Sequence, residues 1–441
     1  MALSPTSGNV PAGTVQTHRG ALALLASLFF MWGFITVINN TLLPHLRSVF
    51  DLNYTQTTLI ESTWFIGYLL ASVPSAFLIE RIGYKRALTT GLGIMTLGSL
   101  GMILAAGLPS YWVTLASLFT VSCGIALLQV AANPYVAVLG PPETSESRLT
   151  LVQAFNTTGD VLAIIFGQQL ILARTVGGTS LEGRELTYAE RMADAQATEL
   201  PYLIVAIVLA GLAVAIALAK LPELGAAARR TTAEARKGLS LWKHRNLVFG
   251  CGAIALCVYA EIGVSSLFIN FSAQEEIANI TQADAASYLA FFWGGMMVGR
   301  FAGAWIMRFI APEKVLAAFS LGGIACALVA VFVTGPLAMY ALMAIGLFIS
   351  IMFPTIFALS IRGLGPLTEE GSGLLIMSIA GGALVFIQGR IADDYGLNWG
   401  FLLTALCCAY VLFYALWGAK PTGKQLEVEL EAGPGTSVLS D

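Results

Sequence analysis

Amide side chains recur at helical spacing inside stretches of the sequence that are otherwise apolar. Gln129 and Asn133 lie four residues apart, and Gln153, Asn156 and Asp160 follow at steps of three and four. Residues at these spacings share one face of an α-helix, so two helices would each present a row of polar groups. Because amides both donate and accept hydrogen bonds, such rows suit a polyhydroxyl ligand.

Other polar and aromatic residues in apolar stretches extend this set of candidate ligand contacts. A polar side chain without a partner in hydrocarbon is costly, so these residues should face a bundle interior or a wet cavity. Aromatic rings, that of Trp32 included, would supply apolar faces for a pyranose ring. The additional candidates for substrate contact are Asn39, Asn40, Asn270, Trp293 and Phe353.

Structural roles compete with ligand binding for some of these residues. An amide that joins two membrane helices contributes about 0.6–2 kcal/mol. Asn133 precedes Pro134, and for this amide we favour bonding to backbone groups that the proline frees. Gly295, Gly299 and Gly303 repeat every four residues, which predicts a close helix–helix contact.

Two carboxylates, Asp160 and Glu261, lie well inside apolar stretches. A buried carboxyl group holds a proton more readily than an exposed one, and hard cations such as Na⁺ prefer oxygen ligands. We therefore expect these residues to couple ligand binding to H⁺ or Na⁺, with a possible Na⁺ site near either one. Simple pairing, or contact with water, is the alternative.

The composition excludes a soluble protein. Of 441 residues, 57% are hydrophobic and 11% are charged, whereas soluble domains carry about 25% charged residues. The net charge of −3 gives no sign of nucleic-acid binding. The cysteines lie in apolar stretches without metal-ligand spacing, and His18, His45 and His244 lie outside them. We expect no enzymatic activity and no resident metal or cofactor. We expect the protein to lie in a lipid bilayer.

About twelve stretches are long and apolar enough to cross a bilayer as helices. They are 21–43, 59–79, 88–107, 111–138, 148–173, 200–219, 246–272, 284–307, 314–334, 337–361, 370–390 and 398–418. Lys and Arg concentrate on the side of the N-terminus, which places both termini in the cytoplasm. The predicted parts are a cytoplasmic tail at 1–19, six-helix halves at 20–219 and 246–419, a basic cytoplasmic linker at 220–245 and a disordered cytoplasmic tail at 420–441.

Matching features recur in the two halves. Pro134 and Pro354 each interrupt an apolar stretch, and each is followed by Leu-Gly-Pro, at 139–141 and 364–366. Tandem halves with interrupted helices at equivalent places are typical of secondary transporters. The substrate would bind between the halves, and access would alternate as one half moves against the other.

Several motifs resemble a known superfamily. The stretch "AFLIERIGYKR" (76–86) resembles the loop motif between the second and third helices of the major facilitator superfamily, although Ala76 stands where glycine is usual. Its fucose/glucose/galactose permease family has motifs similar to "AANPYVAVLGPPETSESRLTLVQAFNTTG", "GRFAGAW", "PEKVLAAF" and "FPTIFALSIRGLG". Three others, "FFMWGFIT", "LLQVAANPY" and "FFWGG", favour the glucose/galactose branch.

The resemblance implies an all-α membrane fold of about twelve helices in two pseudo-symmetric halves. It also implies a monomeric hexose:cation symporter, with glucose or galactose as substrate, in a bacterial inner membrane. Family substrate positions fall on the first, fourth and fifth helices, which favours ligand contact for the amides there. Arg–acid pairs at the inner end would form a gate. The gate candidates are Glu80, Arg81, Arg86, Arg148, Arg300 and Arg362.

The sequence departs from the family at its coupling positions. Proton-coupled members typically have aspartate at the position of Asn40, and the fucose members have glutamate at that of Gln129. Glu261 matches a glutamate common in the glucose/galactose branch, whereas Asp160 is unusual. An uncoupled facilitator is therefore an alternative, as is a carrier of an amino sugar or a disaccharide. A membrane sugar sensor is a more remote alternative.

Overall fold

The computed structural model describes residues 19–50, 54–107, 110–172, 199–219, 221 and 239–421, without the side chains of 38–50, 54–61, 164–172 and 283. The predicted all-helical fold is confirmed, since the described residues form helices and short turns and contain no strand. Most of both predicted tails and of the linker at 220–245 lies outside the described residues. The boundaries of those parts therefore remain predictions.

Six helices form the N-terminal half. They are α1 (Arg19–Phe50), α2 (Tyr54–Ile82), α3 (Tyr84–Gly107), α4 (Tyr111–Val138), α5 (Ser145–Leu172) and α6 (Glu199–Leu218). Helix α1 packs along α5, and α3 packs against both α4 and α6. Apolar stretches of this length fold as helices in a bilayer because a helix satisfies its backbone hydrogen bonds internally.

Eight helices form the C-terminal half. They are α7 (Arg245–Ser272), α8 (Gln282–Ile306), α9 (Pro312–Phe332), α10 (Pro336–Ile349), α11 (Met352–Ile361), α12 (Thr368–Met377), α13 (Phe386–Tyr395) and α14 (Leu397–Phe413). A break at Ser350–Ile351 separates α10 from α11, so that both belong to one predicted span. A 3₁₀ segment, Ser378–Val385, joins α12 to α13 within the next span.

Eleven segments of the described residues are long and apolar enough to cross a membrane. They correspond to eleven of the twelve predicted spans. The remaining predicted span, 148–173, is helix α5, whose side chains are described only as far as Ala163. Helix α5 packs against α1 and α4 in its own half and against α8 and α11 in the other.

The Leu-Gly-Pro repeat forms equivalent turns in the two halves. A 3₁₀ turn, Pro142–Thr144, follows α4, and another, Gly365–Leu367, follows α11. The carbonyl groups at the end of each helix lack intrahelical partners. Arg148 donates to those of Val136, Ala137, Gly140 and Pro141, and Asn246 donates to those of Leu359, Ser360 and Arg362.

Glycines set the closest helix contacts. The contact predicted for the glycine repeat of α8 is confirmed: a Cβ at Gly299 would lie 2.3 Å from Ser350 Oγ, and one at Gly303 would lie 2.3 Å from Ile351 Cγ2. Helices α1 and α5 meet in the same way. A Cβ at Gly33 would lie 2.2 Å from the Asn156 carbonyl oxygen, and one at Gly159 would lie 2.2 Å from that of Phe30.

We expect Gly159→Ala to destabilise the fold, because its methyl group would overlap the α1 backbone and overpacking costs about 1–3 kcal/mol. The control is Gly93→Ala in α3, where nothing lies within 4 Å of the added Cβ. There alanine should be neutral or stabilising, by up to about 1 kcal/mol. Thermal unfolding of the purified variants in detergent measures both. Equal melting temperatures would contradict the close α1–α5 contact.

Candidate functional site

The two rows of amides predicted on α4 and α5 meet in the structure. Gln129, Asn133 and Gln153 are each at most 2% exposed. Gln153 Nε2 donates to Asn133 Oδ1 at 3.3 Å, and Gln129 Nε2 donates to the Tyr68 hydroxyl at 2.7 Å. Tyr68 of α2 was not predicted from the sequence. Its position in an apolar stretch, where a buried hydroxyl needs a partner, was the available signal.

This cluster leaves one hydrogen-bond acceptor and one donor open. Gln129 Oε1 and Asn133 Nδ2 are buried and have no partner among the described residues. Leaving a buried polar group unbonded costs about 1–3 kcal/mol, so the pair suits a polar ligand. The structural role favoured for Asn133 is not the one seen, because its described hydrogen bond runs to Gln153 on α5 and not to the backbone near Pro134.

The α1–α5 contact brings two further candidates together. Asn156 Nδ2 donates to the Phe29 carbonyl at 2.9 Å, so this amide joins two helices. The Asp160 carboxylate lies beside Gly33, where an added Cβ would be 2.8 Å from Asp160 Oδ1. Asn39 and Asn40 lie further along α1, but their side chains are outside the described part of the structure.

The candidates in the C-terminal half are less buried. Asn270, near the end of α7, is exposed. Trp293 is half-buried and packs edge-on against Phe292 at 5.3 Å between ring centroids. Phe353 is half-buried and stacks with Phe357 at 6.3 Å. These contacts are within single helices, and substrate contact by the three residues remains a prediction.

Arg300 connects the halves at the level of the amides. Its side chain is buried. Nε donates to the Ser350 carbonyl at 3.1 Å, in its own half. Nη1 donates to the Gln153 carbonyl at 3.0 Å and to the Thr157 hydroxyl, both on α5. A guanidinium carries several donors in a fixed fork, which lets one side chain bind both halves.

The two predicted coupling carboxylates lie near this guanidinium. Asp160 and Glu261 each interact electrostatically with Arg300, and the two carboxyl groups also interact with each other. The sequence predicted Arg300 at the inner gate. That role remains a prediction; the structure places Arg300 near these carboxylates, which the presence of an arginine inside an apolar span could have indicated. Among the described residues, no three His, Cys, Asp or Glu side chains form a metal-binding group.

A second set of polar contacts joins the halves near the turn between α2 and α3. We call this the basic end, after Arg81, Lys85 and Arg86 at that turn. Arg362 donates to Glu146 Oε1 at 2.6 Å and to Glu313 Oε1 at 2.8 Å. Burial alone would lower the pKa of Arg362, but the two carboxylates raise it above its ordinary value. The hydroxyl of Tyr84 donates to Glu369 Oε1 at 3.1 Å.

Packing closes the same end of the bundle. The Ser147 hydroxyl on α5 donates to the Ala304 carbonyl on α8 at 2.6 Å. A Cβ at Gly373 of α12 would lie 3.1 Å from that of Ala76 on α2. Helices α5 and α8, and α2 and α12, therefore press against each other across the boundary between the halves.

The remaining gate candidates differ in their surroundings. Arg81 and Arg86 are exposed and Glu80 is half-buried; their gate role remains a prediction. The described partners of Arg148 are the end of α4 and the Thr144 hydroxyl, within its own half. Glu146 was not predicted. An acidic residue that follows Leu-Gly-Pro and begins a helix was the available signal.

We expect Arg362→Gln to destabilise this closed end by about 1–3 kcal/mol, because the buried Glu146 carboxylate loses the cation to which it is hydrogen-bonded. The control is Arg390→Gln: Arg390 pairs with Asp394 at 3.1 Å but is 75% exposed, and such pairs contribute about 0.3–0.5 kcal/mol. The melting temperatures of the two purified variants in detergent, each relative to the wild type, measure the difference.

The double variant Glu146→Gln/Arg362→Gln should recover part of the loss, because it removes the unpaired charge. No recovery would show that the uncompensated charge of Glu146 is not the cause of the destabilisation.

Comparison with known proteins gives consistent matches over most of the chain. Residues 24–387 match the model of the Major Facilitator Superfamily. The glucose/galactose transporter of Brucella abortus biovar 1 (strain 9-941) is 44% identical over 406 residues, which are 92% of this chain and 95% of that protein. The L-fucose-proton symporter of Escherichia coli (strain K12) is 33% identical over 419 residues, which are 92% of this chain and 94% of that protein.

The fold matches a solved structure of the same class. The crystal structure of the Major Facilitator Superfamily transporter FucP in the outward conformation superposes with a TM-score of 0.81. The sequences are 32% identical, and the match covers 92% of this chain and 100% of that one.

Proposed function

Because this chain belongs to the Major Facilitator Superfamily, we propose that it carries a hexose such as glucose or galactose together with a proton, by alternating access. It is a multi-pass membrane protein and a sugar transporter, not an enzyme. Relatives that are named for glucose/galactose transport and for fucose-proton symport support the substrate class and the coupling ion.

The observation that carries the proposed site is the open pair of hydrogen-bonding atoms on α4. Gln129 Oε1 accepts and Asn133 Nδ2 donates, and both are buried without a partner among the described residues. A sugar hydroxyl both donates and accepts, so neighbouring hydroxyl groups satisfy both atoms. Gln153, bound to Asn133, fixes the orientation of that amide.

The charges near Arg300 support proton coupling. With both carboxylates ionised, Asp160, Glu261 and Arg300 carry a net charge of −1, so binding one proton makes the group neutral. A proton needs a single carboxylate oxygen, whereas Na⁺ needs several oxygen ligands at once. We therefore favour H⁺ over Na⁺ as the coupled ion.

The distribution of Lys and Arg supports an orientation with the basic end and both termini in the cytoplasm of a bacterial inner membrane. In that orientation the contacts of Arg362, Ser147 and Gly373 lie at the cytoplasmic end and hold it closed. Transport requires these contacts to separate while the outer ends of the halves approach each other. A monomer suffices for this cycle.

The proposed function is tested by uptake of labelled glucose and galactose into proteoliposomes with an imposed H⁺ gradient, an imposed Na⁺ gradient or neither. We expect accumulation above equilibrium with the H⁺ gradient alone. Accumulation with Na⁺ alone would contradict proton coupling. Equilibration that ignores both gradients would make the protein a facilitator, as Asn40 and Gln129 allow. No uptake of either hexose would redirect the assay to amino sugars and disaccharides.

We expect Asp160→Asn and Glu261→Gln to abolish or strongly reduce proton-driven accumulation while sugar exchange across the membrane continues. Exchange requires the sugar site to alternate but requires no net release of a proton. The control is Glu275→Gln, because Glu275 is exposed in the turn that follows α7, and this variant should leave accumulation unchanged. Full accumulation by the double variant Asp160→Asn/Glu261→Gln would exclude both carboxylates as coupling groups.

A further inference from the structure

We infer that Arg300 is a positioning residue for the sugar site: through Thr157 it holds the Gln153–Thr157 turn of α5 against α8, so that the affinity of the amides for sugar depends on how the halves are arranged. The inference rests on the proposed function. It assigns no direct contact between Arg300 and the sugar.

The first support is the geometry of the guanidinium. Its described hydrogen bonds run to neutral oxygen atoms, the Ser350 carbonyl on one side and the Gln153 carbonyl and Thr157 hydroxyl on the other. Arg300, Ser350 and Thr157 are buried, so water does not readily replace these bonds. Charge-assisted hydrogen bonds are also shorter and stronger than neutral ones.

The second support is what the held turn carries. The Gln153 backbone accepts from Arg300, while its side chain donates to Asn133 Oδ1. Asn156, within the same turn, donates to the Phe29 carbonyl of α1. One helical turn therefore connects α8 with Gln153 of the proposed sugar site and with the α1 backbone. A shift of this turn moves Gln153 relative to Asn133 and Gln129 on α4.

The third support is the position of the contact along the boundary. Among the described residues, side-chain hydrogen bonds join α5 to α8 at two places. Ser147 donates to the Ala304 carbonyl, and Arg300 donates to the Thr157 hydroxyl and the Gln153 carbonyl. Of these two places, the one at Arg300 lies beside the amides. If the halves separate along α5 and α8, Arg300 must leave the turn, and the turn then loses the support that orients Gln153.

The hydroxyl groups of Thr157 and Ser147, both on α5, provide a matched test. Thr157→Val removes one of the two acceptors that α5 offers Arg300, leaving the Gln153 carbonyl, and keeps the side-chain shape. Thr157→Ser restores the hydroxyl acceptor, and Ser147→Ala removes the hydrogen bond to the Ala304 carbonyl. The first measurement is binding of glucose and galactose to each purified variant. Thr157→Val should weaken binding about fivefold, because the loss of one charge-assisted hydrogen bond is felt only through the turn. Thr157→Ser should restore the affinity, and Ser147→Ala should leave it near that of the wild type.

The second measurement is hydrogen–deuterium exchange of the α5 peptide that contains residues 153–157, without sugar. Thr157→Val should speed exchange there, and Ser147→Ala should not. Unchanged exchange in Thr157→Val would overturn the inference, whatever the protein binds. Faster exchange with wild-type sugar affinity would overturn the connection to the sugar site, as would equal effects of Ser147→Ala and Thr157→Val.

The wild-type protein separates this inference from the function on which it rests. If the wild type binds neither hexose, the proposed substrate is wrong. The hydrogen–deuterium exchange of residues 153–157 then decides by itself whether Arg300 positions the turn. Arg300→Lys adds a test of geometry against charge. It keeps the positive charge near Asp160 and Glu261 but lacks the fork, so it should behave as Thr157→Val does in both measurements.

Discussion

The hydrocarbon core of a bilayer supplies no water to polar groups, so each buried polar side chain must bond to protein or to a ligand. Arg300 shows this constraint clearly. Its side chain is buried, and its Nε and Nη1 donate to oxygen atoms that the α10–α11 break of one half and α5 of the other present to it. The arrangement of the two halves and the satisfaction of this cation therefore depend on each other.

The same constraint separates the polar contacts that complete the fold from those that leave room for a ligand. Arg148 and Asn246 bond to the carbonyl groups at the ends of α4 and α11, and Asn156 bonds to the backbone of α1. Gln129 and Asn133 are equally buried but each keeps one atom unbonded. The site proposed for polyhydroxyl molecules lies where two of these hydrogen-bonding atoms have no partner among the described residues.

Several of the described polar contacts between the halves are directional, which suits a protein that must change conformation. The Arg362–Glu146 pair and the Ser147 hydrogen bond each join two defined atoms, and a small rotation of one half is enough to break them. Within each half, glycines let helix backbones pack closely, as α1 and α5 do at Gly33 and Gly159.

The sequence by itself determined the class, the helices and the rows of amides. Hydrophobic length and helical spacing are local properties, so the spans and the shared face of Gln129 and Asn133 could be predicted. The interruption expected at Pro134 is not seen, because α4 continues through it to Val138. Only the tertiary structure decided which groups meet. It brought Asp160 and Glu261 to Arg300, paired Arg362 with Glu146 and bound Asn133 to Gln153. Those contacts join different helices, and their rotation and depth depend on the packing of the whole bundle, which no local pattern encodes.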